Sequence, residues 1–67
     1  MALSEKLVER RNELGITQQE LSRITGVSQA AISMFEHGTK VPSVAVLVLI
    51  ADALECSVDY LLGHNQS

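Results

Sequence analysis

The chain of 67 residues holds one cysteine, one proline, no tryptophan and two aromatic residues, Phe35 and Tyr60. Each scarcity excludes something. Cys56 has no internal disulfide partner and does not make a zinc site alone, so neither a disulfide framework nor a metal staple holds this fold. Without tryptophan, and with aromatics at 3%, a core has to be built from Leu, Ile, Val and Ala, which favours helices. No long apolar run is present: the longest, Val44 to Ala51, is eight residues, against the ~20 that span a bilayer. Ser4, Glu5 and Lys6 interrupt any signal-peptide pattern at the start. Excess positive charge is missing too, because five Lys and Arg stand against eight Asp and Glu for a net charge of −3. A non-specific polyanion binder is thereby excluded on charge. The expectation is a soluble, cytoplasmic protein of a reducing compartment, with no membrane partner.

Hydrophobic residues make up 46% of the chain, enough for one small core. The charges divide unevenly. Residues 1–40 hold all five basic residues (Lys6, Arg10, Arg11, Arg23, Lys40) and five acids, whereas Asp52, Glu55 and Asp59 give residues 41–67 the whole −3. The first forty residues therefore retain a local supply of basic groups.

Cap and stop signals divide the chain into five short helices. Ser4 reads as a first N-cap, with Leu3, Leu7 and Leu14 at helical spacing until Gly15. Thr17-Gln18-Gln19-Glu20 fits a capping box, in which hydroxyl and carboxylate each satisfy an orphan backbone N–H. Gly26 ends that second helix with a left-handed turn. Ser28 caps a third helix, Gln29 to about His37, closed by Gly38. Pro42-Ser43 starts a fourth, predicted to turn Val44, Leu47, Ile50, Ala51 and Leu54 toward the core. Ser57 caps a last one through Leu62. The domain is expected over residues 1–63, with 64–67 as a polar tail.

Two short helices joined at a glycine describe a helix-turn-helix. Counting from Gln18, the fifth place needs a small residue and holds Ser22, and the ninth needs a positive φ and holds Gly26. Leu21, Val27, Ile32 and Phe35 fall where the pair must pack on itself and on the rest of the domain. No rival chemistry competes. His37 and His64 lie far apart in sequence, no carboxylate or cysteine cluster has metal-ligand spacing, and no glycine-rich phosphate loop is present. Neither an enzyme, a cofactor, a metal site nor a small-molecule ligand is indicated.

With these residues in view, the chain resembles the Cro and repressor-type helix-turn-helix family of phages and bacteria. LSEKLVERRNELGITQQEL is similar to its first two helices, GVSQAAISMFEHG to its turn and recognition helix, and ALECSVDYLLG to its closing segment. The resemblance implies an all-α, five-helix bundle that binds double-stranded operator DNA as a dimer, without cofactor, as a transcriptional regulator and most simply a repressor. Its place would be the bacterial or phage-infected cytoplasm, at the nucleoid. A short chain without a second domain fits a Cro-like protein, or the DNA-binding domain of a longer repressor.

Carried over position by position, the resemblance assigns Gln29, Ala30, Ser33 and Met34 to base edges. The Gln29 amide suits adenine N6 and N7, while Ala30 and Met34 suit a thymine methyl. Thr17, Gln18, Ser28, His37 and Lys40 become candidates for backbone contacts. Arg11 and Glu36 become a structural ion pair. Relatives often carry Arg or Lys where Met34 stands, and Gly where Glu55 stands, which leaves a strained or different helix end at Glu55. An apolar patch of Ala45, Val48 and Leu49, extended by Tyr60 and Leu61, is the expected homodimer interface. The competing reading is a protein-interaction module of the same fold, an antirepressor or antitoxin, favoured by the scarce basic residues.

Overall fold

A computed structural model describes residues 2–63. Five helices follow one another: α1 (Ala2–Glu13), α2 (Gln18–Thr25), α3 (Gln29–His37), α4 (Val44–Ala53) and α5 (Val58–Leu62). No strand occurs among the described residues. The expected polar tail, residues 64–67, lies outside them.

Local chemistry sets most of the boundaries. Thr17, Ser28, Ser43 and Ser57 each hold extended backbone and accept a hydrogen bond from the N–H three residues on. That removes one of the orphan donors at each helix start. Gly26 and Gly38 close α2 and α3 at φ 77° and 78°, a region in which a side chain would be strained. Helix α4 ends without a glycine. Glu55 takes the left-handed conformation at φ 56°. Its N–H donates to the Asp52 carbonyl and that of Cys56 to the Ala51 carbonyl, the bonding of a Schellman cap. The departure at Glu55 is therefore one of strain, in an otherwise ordinary helix end.

Arg10 of α1 is the compensation at that end. Its Nε donates to the Leu54 carbonyl at 2.8 Å and its Nη2 to the Glu55 carbonyl at 3.3 Å, while Nη1 meets Glu13 at 3.1 Å. The guanidinium thus satisfies carbonyls that the end of α4 leaves open and ties α1 to the α4–α5 corner.

Every helix contributes to one core. Leu7, Leu21, Ile32, Ile50, Leu54 and Leu61 are fully buried, with Leu3, Phe35, Leu47 and Ala51 around them. Helix α1 packs on α3 and α5, α2 on α3 and α4, and α4 on α5. The five-residue α5 is far too short to persist alone; its Ser57 cap and Leu61 in the core hold it.

Three expectations are corrected. Ser4 does not cap α1, which begins at Ala2; Ser4 lies inside the helix and is buried. Val44 does not face the core. It sits at the first position after the Ser43 cap, beyond the reach of the packed interior, and is 78% exposed. Leu61 is not an interface residue, since none of it reaches solvent. Leu61 turns inward, and Tyr60 stays half-buried with the Lys6 ammonium 5.1 Å from its ring centre.

Candidate nucleic-acid interface

The α2–turn–α3 segment is held by its own polar side chains. The Thr17 hydroxyl accepts from the Glu20 N–H at 3.0 Å, and the Thr17 N–H donates to the Glu20 carboxylate at 2.8 Å. In the turn, the Ser22 hydroxyl donates to the Val27 carbonyl at 2.6 Å. The Thr25 hydroxyl donates to the Leu21 carbonyl at 2.8 Å and accepts from the Val27 N–H at 3.1 Å. The small residue at the fifth place thus has a second task beyond letting the helices approach: it binds a turn carbonyl that would otherwise lack a partner. Two helices joined in this way have a fixed mutual angle.

Ile32 and Phe35 anchor α3 in the core. Gln29, Ala30, Met34 and His37 are consequently exposed, with Ser33 half-buried among them. Residues at i, i+1, i+4, i+5 and i+8 of a helix form one stripe, so the four candidate base readers and His37 share a face. Ser28 stands at the head of that stripe, its hydroxyl accepting from the Ala31 N–H at 3.1 Å. Lys40 is exposed in the loop after α3.

Glu36 sits behind the stripe and joins three helices. Its carboxylate accepts from Arg11 Nε at 2.6 Å, from a second Arg11 nitrogen at 3.0 Å and from the Gln18 amide at 2.9 Å. The Glu36 side chain is only 5% exposed. Burial alone would push its carboxyl up, but hydrogen bonds from Arg11 and Gln18 and the charges of Arg11 and His37 outweigh that and hold it below the ordinary carboxylate range. Arg11 is held above its ordinary value, chiefly by its hydrogen bonds to Glu36. The same guanidinium donates to the Ile16 carbonyl at 2.8 Å, closing the α1–α2 loop.

The candidate backbone ligands are therefore differently disposed. Thr17 and Gln18 already have protein partners. His37 and Lys40 stand free of ion pairs at the far end of α3. The arrangement also takes cations out of play: Arg11 through the pairing with Glu36 that the resemblance implied, and Arg10 without any forewarning in the sequence. Arg10 and Arg11 are committed inside the fold, and Lys6 lies 3.9 Å from Glu9. Among the described residues this leaves Arg23 and Lys40 as cations without an ion pair. For Arg10 no sequence signal existed, because its partners are backbone carbonyls.

Of the proposed interface residues, Ala45, Val48 and Leu49 are exposed on the outward side of α4, together with Val44. Cys56 is partly buried against the core, and that burial pushes its thiol up, with Arg10 opposing. Among the described residues no group of three or more His, Cys, Asp or Glu could hold a metal ion, and no helix is long and apolar enough to cross a membrane.

Comparison with known proteins agrees with this geometry. Repressor protein C2 of Salmonella phage P22 is 40% identical over 65 residues, covering 97% of this chain and 30% of that protein. The cryptic phage CTXphi transcriptional repressor RstR of Vibrio cholerae is 36% identical over 64 residues, covering 96% of this chain and 57% of its own length. The chain thus spans between about a third and somewhat over half of these relatives. Among solved structures, the P22 c2 repressor in complex with a synthetic operator superposes with a TM-score of 0.90 at 37% identity, over 97% of this chain and 98% of that one. The solution structure of the P22 c2 DNA-binding domain gives 0.90 as well, over 100% of this chain and 88% of that one. Residues 7–61 match the helix-turn-helix family, and the chain belongs to that family, in its Cro and repressor-type branch.

Proposed function

We propose that this chain is a sequence-specific DNA-binding transcriptional regulator, a repressor, that reads operator DNA with α3 in the major groove. One observation carries the reading. A continuous outward stripe, Gln29, Ala30, Ser33, Met34 and His37, lies on a helix whose angle is set by the Gly26 turn and the Glu36 network. It belongs to a fold that superposes on a repressor bound to its operator. Gln29 is the polar reader, and Ala30 and Met34 give apolar contact suited to thymine methyls. Gln18, Thr17, Ser28, His37 and Lys40 line the ends of the stripe as backbone ligands, with the N–H groups of the α2 start.

So few free cations make for weak monomer binding. With roughly two phosphates neutralised per protomer, affinity falls only gently with salt. A dimer doubles the contacts, and the apolar outward face of α4, with Ala45, Val48 and Leu49 beside the half-buried Tyr60, is the surface we assign to it. Two copies related by a two-fold axis would meet half-sites one helical turn, ~34 Å, apart. The role needs no catalysis and no cofactor, and it belongs in the cytoplasm, at the nucleoid.

Selection of bound sites from a random-sequence duplex library at low salt tests the proposal. The expected product is an inverted repeat with that spacing. Failure to enrich any site at high protein concentration would refute DNA recognition and favour a protein-interaction module, the reading that the shortage of free cations supports.

A further inference from the structure

His37 stands at the end of the exposed stripe with its Nδ1 atom 2.7 Å from the Ser33 carbonyl oxygen, one turn back along α3. A carbonyl oxygen only accepts, so Nδ1 must carry the ring proton and donate it. The Ser33 hydroxyl is further away, at 3.4 Å. Nε2 is then the nitrogen left for outside partners. In the neutral ring with this tautomer, Nε2 is a bare lone pair, which a phosphate oxygen repels. With a second proton it becomes a donor on a positive ring, and a phosphate oxygen attracts it.

Few charges face this end of α3, and one of them, the Glu36 carboxylate, already interacts with the charge of His37. Glu36, the neighbouring residue, has its carboxylate held by Arg11 of α1 and Gln18 of α2. Glu20 of α2 is engaged in its capping box with Thr17. Lys40, three residues further on, is exposed and the nearest cation in sequence. His37 itself lies in the last turn of α3, where the carbonyl ends of a helix favour a cation. Against two unpaired cations among the described residues, a further positive charge at this face is a large change.

We infer that His37 is a proton-coupled phosphate ligand: DNA binding takes up one proton per protomer at Nε2, and affinity rises as pH falls. The inference rests on the DNA-binding reading above. An anion within about 4–6 Å raises the proton affinity of its neighbour by about one unit or more. The bound state therefore holds the proton more tightly than the free protein. Affinity is therefore expected to be highest at the acid side and to fall, by about tenfold per protomer, between roughly pH 6 and 8.

Fluorescence anisotropy of the full chain with a labelled duplex, at fixed ionic strength across that range, tests it. Two duplexes serve, one carrying an enriched site and one of scrambled sequence, because a phosphate contact acts on both. Wild type should show the slope on both. His37→Gln should lose it, and His37→Arg should bind at the alkaline end as wild type does at the acid end. His37 is exposed, so unchanged melting curves are expected for both variants. A slope retained in His37→Gln, in which His64 is still present, would overturn the assignment, as would binding with no slope in wild type. A slope confined to the enriched site would overturn the phosphate contact in favour of a base contact. Absence of binding by every variant at every pH would instead refute the DNA-binding reading itself.

Discussion

Replacing Glu36 by alanine is expected to cost about 3–5 kcal/mol of folding free energy, because it strands a buried cation. The magnitude follows from what the carboxylate holds. Arg11 and Glu36 side chains are 14% and 5% exposed, and three donors converge on the two carboxylate oxygens at 2.6, 3.0 and 2.9 Å. In Glu36→Ala the guanidinium keeps only the Ile16 carbonyl, and the Gln18 amide loses its acceptor. A chain of this length is stable by about 3–10 kcal/mol in total, so the loss would leave a substantial unfolded fraction. The cost comes from the uncompensated charge and much less from the net worth of the pair. Arg11→Met combined with Glu36→Leu should therefore lose less than Glu36→Ala alone. Urea unfolding followed by far-UV circular dichroism at neutral pH measures all three proteins. A loss below about 1 kcal/mol for Glu36→Ala, within the range of ordinary substitutions, would refute the reasoning, as would a double variant no more stable than the single one.

The same carboxylate predicts the acid limb of stability. Its folded-state value lies below the unfolded one, so its contribution is present above the ordinary carboxylate range and is lost as pH falls through and below it. Glu36→Gln should accordingly flatten the decline, as thermal melts against pH would record. At the end of α4, Glu55→Gly should stabilise the protein by about 1 kcal/mol by removing a side chain from the left-handed region, and an unchanged urea midpoint would contradict this. Gln29→Ala should cost about 1–3 kcal/mol of discrimination at one base pair. Because Gln29 is exposed, its melting temperature should hold; site selection with the variant would show whether that position relaxes. Leu49→Lys should give a monomer by sedimentation with weakened operator affinity, and a protein that remains dimeric would remove α4 from the interface.

The caps and turns were legible in the sequence because their chemistry is local. Thr17 with Glu20, Ser28, Ser43, Ser57, Gly26 and Gly38 each act within three or four residues; α2 and α3 begin and end at them, and α4 and α5 begin at them. Ser4 misled for the same local reason: a serine before a charged helical run looks like a cap. Here the helix had already begun at Ala2 and the bundle buried the hydroxyl. Val44 and Leu61 were misassigned because an apolar residue does not announce whether its side of a helix meets another element. Leu61 was drawn inward by α1 and α4, whereas Val44 was left at a helix start that nothing covers.

The charge of −3 was the first obstacle to a nucleic-acid partner, and the distribution of charges removed it by confining the excess acid to residues 41–67. How many of the remaining cations were free was a question for the folded chain alone. Arg11 finds its carboxylate 25 residues away and Arg10 its carbonyl 44 away, distances over which no periodicity or cap pattern carries information. The sequence by itself determined five helices, the positive-φ turn and the stripe of α3, since these depend on φ preferences, capping side chains and a 3.6-residue period. The tertiary structure alone decided that Arg10 serves the scaffold, that Glu55 accepts strain beside a guanidinium clamp, and that His37 has one ring nitrogen committed. Those outcomes depend on which groups meet when the helices pack, and on the cost of leaving any of them buried without a partner.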